Sequence, residues 1–122
     1  MLNDMHKPEA GLLALADRVA IVTGLDRRVD YEVMVATAIM GGRYEWDPDD
    51  QNHRYTTSVD AAISLIPEGW RMILDSDGCH CRLTKRDMSL RDANGLASDM
   101  PRAIVAAALR ARHSLNLENA RG

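Results

Sequence analysis

Apolar side chains recur at helical spacing near the start of the chain: Leu12, Leu13, Leu15, Ala16, Val19, Ala20 and Val22, with Asp17 and Arg18 between them. Pro8 suits a first helical turn and Gly24 a left-handed stop, so a helix is predicted over about 8–23. Asp26 then reads as the N-cap of a second helix over about 27–40, with Val29, Val33, Ala36 and Met40 as its stripe and Gly41-Gly42 as its end. Residues 43–54 are polar and read as a surface loop. Tyr55-Thr56-Thr57 suggests a short strand, and Thr57 or Ser58 caps a short helix from Val59 to Ile66 with Ala62, Ile63 and Ile66 turned inward. Two period-two runs follow, Trp70 to Asp75 and Cys79 to Thr84, joined by Ser76-Asp77-Gly78. That is the pattern of strand, turn and strand. Trp70 and Leu83 line the buried face. Arg71, His80 and Arg82 line the other, which stays open unless a second helical layer covers it. Lys85 to Ala97 reads as irregular, with Asn94-Gly95 as a turn. The last helix is predicted over about 99–114, capped by Ser98 or Asp99, with Arg110, Arg112 and His113 in its final turn and a frayed tail from Asn116. Ala103, Ala106, Ala107 and Ala111 leave it able to approach a sheet closely.

The elements predict an α+β fold, a small antiparallel sheet packed by helices. They form one domain over residues 1–122, with an ordered core at about 8–115. Hydrophobic residues are 46 % of the 122, enough for a core; Phe is absent, so aliphatics, Ala and Met fill it. Fifteen Lys and Arg against eighteen Asp and Glu give a net charge of −3, which argues against a nucleic-acid-binding surface. Residues 1–61 carry a net −5 and residues 62–122 a net +2, a mild dipole. No apolar run is long enough to span a membrane, and Met1 to Ala10 lacks the layout of a secretory leader. Two cysteines make no disulfide framework, so a reducing, cytoplasmic setting is expected.

Three stretches resemble the phage alpha-beta-alpha sandwich domain family. The first is Leu12-Leu13-Ala14-Leu15-Ala16-Asp17-Arg18-Val19 with Thr23-Gly24-Leu25-Asp26-Arg27. The second is Tyr55-Thr56-Thr57-Ser58-Val59-Asp60-Ala61-Ala62 running through Leu65-Ile66-Pro67-Glu68-Gly69-Trp70. The third is Ala103-Ile104-Val105-Ala106-Ala107-Ala108-Leu109-Arg110-Ala111-Arg112. They span residues 11–112, and the middle stretch is the most specific. The acidic segment Asp47 to His53 and the segment Lys85 to Asn94 match no motif of that family. The resemblance implies helices on both faces of the sheet and an origin in a bacteriophage or prophage. It supplies no catalytic residue.

Candidate chemistry is sparse. Cys79-His80-Cys81 offers two thiols and an imidazole, but strand alternation sends His80 opposite to the cysteines, and no second ligand pair exists for zinc. Asp47, Asp49, Asp50 and Asn52 look like a cation loop, yet Asn52 and Ser58 stand where an EF-hand needs Gly and Glu. His53 lies near Thr57 and Ser58 without a third orienting residue or a nucleophile elbow, and no Gly-rich nucleotide loop is present. No catalytic set, metal site or cofactor is therefore expected.

Two binding readings remain. Tyr44 and Trp46, two of five aromatics, share a polar loop with Asp47 and His53, a composition typical of interface anchors. That favours a non-enzymatic phage or prophage accessory protein which binds a host protein or itself through Tyr44, Trp46, Asp47 and His53; an inhibitor of a host defence protein is one form of it. The alternative is capture of a nucleotide signal by Arg82, Lys85, Arg86 and Arg102, the core of a basic set that extends to Arg91, Arg110 and Arg112.

Overall fold

The structure is a computed structural model that describes residues 8–21, 26–37, 54–75 and 79–121. Helix α1 (Pro8–Ile21) begins on its proline and buries Leu12, Leu15, Ala16 and Val19, one stripe at spacings of three and four. Leu13 lies off the stripe and is exposed. Helix α2 (Arg27–Thr37) is capped as expected: Val29 N donates to Asp26 Oδ1 at 3.0 Å. Its buried side is Val29, Asp30, Val33 and Met34, whereas Ala36 faces solvent. The Asp30 carboxylate thus joins the buried side, Ala36 falls outside it, and Met40 lies outside the described residues. Arg18 clamps Glu32 through two 2.7 Å bonds and ties α1 to α2.

Tyr55-Thr56-Thr57 is a turn rather than a strand. The amides of Thr57 and Ser58 both donate to the Arg54 carbonyl, while Tyr55 and Thr56 are buried. Helix α3 (Val59–Ile63) is capped by Ser58, whose Oγ accepts from Ala61 N. It stops three residues before Ile66, because Leu65 N bonds Ala62 O and Ile66 N bonds Ile63 O in a tightened last turn ahead of Pro67. Tightening rotates the register, so Ala61, Ala62 and Leu65 are buried and Ile63 is exposed.

Gly69, at φ +89, turns the chain into the sheet, a backbone state that a side chain would strain. Strands β1 (Trp70–Asp75), β2 (His80–Lys85) and β3 (Ala93–Leu96) form one antiparallel sheet in the order β1-β2-β3. Met72 stands opposite Leu83, and Cys81 opposite Gly95. The hairpin agrees with the sequence pattern, except that Cys79 lies before β2 with φ 46 and so falls outside its alternation. Asn94-Gly95 is not a turn: both residues lie inside β3. The close approach of the final helix demands the glycine there, as a Cβ on Gly95 would collide with the Ala103 carbonyl oxygen and stand 2.7 Å from Ala107 N.

That helix, α4 (Met100–Arg121), is capped by Asp99, which accepts from Arg102 N at 3.2 Å. It runs seven residues beyond the expected end, so Arg110, Arg112 and His113 sit mid-helix. α4 packs across β2 and β3 on one side and against α1 and α3 on the other. Its residues from Ala103 to Leu109 are all fully buried, as the central element of an α+β fold must be. Among the described residues the helices lie on one face of the sheet. The other face leaves Arg71, Ile73, Asp75, Arg82, Asn94 and Leu96 exposed. No helix among the described residues is long and apolar enough to cross a membrane.

Candidate functional site

The uncovered sheet face is built by alternation. Odd positions of β1 and even positions of β2 and β3 point away from α4, which places Arg71, Ile73, Asp75, His80, Arg82, Asn94 and Leu96 on one surface. Polar contacts organise it. His80 Nε2 and Asn94 Oδ1 lie 2.9 Å apart across β2 and β3, and Arg82 Nε reaches Asp92 at 3.8 Å. Ile73 and Leu96 are 38 % and 63 % exposed, so apolar side chains sit among these charges without cover.

Around the outer edge of β3 the face passes into an open cleft of about 440 Å³, whose walls include Leu13, Asp92, Asn94, Arg110, His113 and Ser114. Arg110 braces this edge: Nη1 donates to the Asn94 carbonyl at 2.7 Å and Nη2 to Asp17 Oδ1 at 2.8 Å. His113 Nδ1 is buried and makes no hydrogen bond among the described residues. His113 and Ser114 are consecutive on α4 and do not face each other, so they are not the aligned hydroxyl and imidazole of nucleophilic catalysis. The recess thus has an imidazole, a hydroxyl and a carboxylate among its lining groups.

The four basic residues expected to act together are dispersed. Arg82 and Lys85 stand on opposite faces of β2, and Lys85 Nζ pairs with Asp87 at 3.2 Å. Two hydrogen bonds from Ser89, with that lysine, hold the Asp87 carboxyl down at about 2. Arg86 is exposed. Arg102 is 1 % exposed, paired with Asp99 and set in the field of Asp30 and Asp26, so it belongs to the core. Of the wider set, Arg112 is also occupied, its Nε donating to the Leu65 carbonyl at 2.9 Å. Tyr44, Trp46, Asp47 and His53 lie outside the described residues, as does the acidic loop.

Cys79, His80 and Cys81 diverge. Cys81 is buried against α4, His80 is on the open face, and Cys79 Sγ lies 3.8 Å from the Ser98 carbonyl. Among the described residues no three His, Cys, Asp or Glu side chains gather as metal ligands. Burial pushes the Cys81 thiol up to about 11, so it stays protonated at neutral pH. Titration of the native protein with a disulfide reagent near neutral pH is expected to modify Cys79 alone. Cys81 should react only after unfolding, and rapid native labelling of Cys81 would contradict its burial.

Sequence reasoning missed the part played by Asn94 and Leu96, because Asn-Gly reads as a turn when the packing of α4 is unknown. The alternation Ala93, Asn94, Gly95, Leu96, buried and exposed by turns, was the signal available. Fold and site together define an α+β domain in which, among the described residues, one sheet face is covered by helices and the other is a mixed polar and apolar surface. Compared with known proteins, the chain matches no family model, no curated protein and no solved structure.

Proposed function

We propose that this chain is a non-enzymatic binding protein that engages a partner protein with its uncovered sheet face. The reading follows the resemblance in making it a phage or prophage accessory protein that acts inside the host cell, with a host defence protein as one fitting target. The observation that carries it is the open face itself: Ile73 and Leu96 exposed among Arg71, His80, Arg82 and Asn94. A centre of apolar contacts within hydrogen-bonding and charged groups is the chemistry of a protein interface. Tyr44, Trp46, Asp47 and His53 would add anchors from the preceding loop.

Nucleotide capture by Arg82, Lys85, Arg86 and Arg102 draws less from the geometry, since Arg102 is in the core and two of the others are already paired with carboxylates.

Affinity capture from a host lysate with quantitative mass spectrometry tests the proposal. The wild-type chain should enrich a discrete protein. Trp46→Ala should reduce that enrichment about tenfold, the scale of an interface anchor. Arg82→Glu with Leu96→Asp should abolish it, while Arg28→Glu, on the exposed side of α2, should leave it unchanged. Melting temperatures should match throughout. Enrichment untouched by the Arg82 and Leu96 changes, or no enriched protein at all, would overturn the proposal.

A further inference from the structure

The two edges of the sheet are finished differently. At the outer edge of β3, Arg110 caps the Asn94 carbonyl and α1 lies alongside. Such cover is how native sheets keep an edge from pairing with another chain. Along the outer edge of β1 no element among the described residues is packed.

The direction of the free backbone groups on β1 follows from one bond. Arg86 N donates to Gly69 O at 3.0 Å, and the register places these two residues opposite each other. They are therefore a hydrogen-bonded pair. By alternation Arg71, Ile73 and Asp75 turn their amides and carbonyls toward β2, and Trp70, Met72 and Leu74 turn theirs to the open edge. A strand added there must bond to Trp70, Met72 and Leu74.

We propose that the added strand is β1 of a second copy, paired antiparallel about a two-fold axis at Ile73, so that two sheets join into one of six strands. This register satisfies the backbone alternation and the charges together. Met72 meets Leu74 of the second copy as a hydrogen-bonded pair, and the symmetry repeats the contact. Ile73 meets its own counterpart at a non-hydrogen-bonded position, where side chains come closest. Arg71 meets Asp75 of the second copy, twice, so both charges on the exposed face of β1 oppose the opposite sign. A shift of the axis to Met72 puts Arg71 against Ile73 and forms no charge pair.

Burial fits the same partner. Leu74 is 41 % exposed although it points to the helix-covered side, because α4 covers β2 and β3 and stops short of the end of β1. The second copy's Met72 would cover it. The open faces of the two copies would then be continuous, which doubles the surface assigned above to a partner protein. The self-pairing does not depend on that assignment.

Light scattering and oxidative cross-linking of the full chain test the register. The wild-type chain should show twice its 13.5 kDa monomer mass at micromolar concentration. Arg71→Glu should weaken self-association about tenfold or more, as should Asp75→Arg, each by setting like charges opposite one another. The two changes together should restore it, because the pairs are merely exchanged. Ile73→Cys should form a disulfide-linked dimer under oxidised glutathione, since the Cα separation expected there is about 4.5 Å, within disulfide range. Leu74→Cys and the wild-type chain, with its Cys79 and Cys81, should not. Circular dichroism of each variant checks that the fold persists. A monomer at all concentrations, a dimer indifferent to Arg71→Glu, no rescue in the double variant, or preferential cross-linking at Leu74→Cys would each overturn the proposal.

Discussion

Gly95→Ala is expected to destabilise the domain by about 3 kcal/mol or more, the upper end of what overpacking costs when neighbours cannot yield. The neighbours here are the Ala103 carbonyl oxygen and the Ala107 amide nitrogen, both backbone of α4. A flexible side chain could rotate away from a new methyl group, but a helix backbone must move as a body. Moving α4 would loosen it from β2, β3, α1 and α3 together. The measurement is a urea melt, in which the midpoint should fall sharply with little change in slope. Gly11→Ala is the matched control. Gly11 lies within α1 and a Cβ there meets nothing within 4 Å, so the change should stabilise by about 0.5–1 kcal/mol through helix propensity. A Gly95→Ala protein as stable as wild type would mean that α4 does not sit so close to β3.

Arg102→Met is expected to cost about 3–5 kcal/mol near neutral pH, because it removes a buried cation that is ion-paired with Asp99 and whose charge also acts on the buried Asp30 carboxyl. Asp30 is 1 % exposed and accepts a 2.8 Å hydrogen bond from Thr56 N, holding the turn at 54–57 against α2. Burial raises its carboxyl above 3.8 while the Thr56 hydrogen bonds and the Arg102 charge work against the rise. A group whose pKa is raised on folding contributes most below its unfolded pKa and loses that contribution as pH rises through the folded one. Hence the penalty in Arg102→Met should be least below pH 3.8 and grow toward neutrality, with more slope than wild type. Adding Asp30→Asn keeps an oxygen for Thr56 N and removes the charge. Part of the loss at neutral pH should then be recovered, and the added pH dependence should shrink. Equal melting temperatures for Arg102→Met with and without Asp30→Asn would refute the coupling.

Periodicity made the α1, α2 and α4 helices and the β1–β2 hairpin legible, because each carries its own apolar spacing and, at Asp26, Ser58 and Asp99, a side chain that caps the following helix through local bonds. The α+β class follows from those elements alone. β3 was hidden, since Asn94-Gly95 has the local chemistry of a turn and becomes a strand only because Leu83 and Cys81 offer backbone partners and α4 needs a residue without a side chain. Asp30 and Arg102 were misleading in a similar way: charge predicts exposure, yet each is buried against groups distant in the chain. The candidate site shows the same division. Spacing put Arg71, His80 and Arg82 on one face, but whether helices would cover that face was a question of which layers pack where.

Local order, then, was written in spacing and capping, because helical and pleated periods and N-cap hydrogen bonds act within a few residues. Which sheet face the described helices cover, which charges are buried and which sheet edge those helices leave uncovered were settled by contacts between residues far apart in the chain, and those energies depend on neighbours that no short window contains.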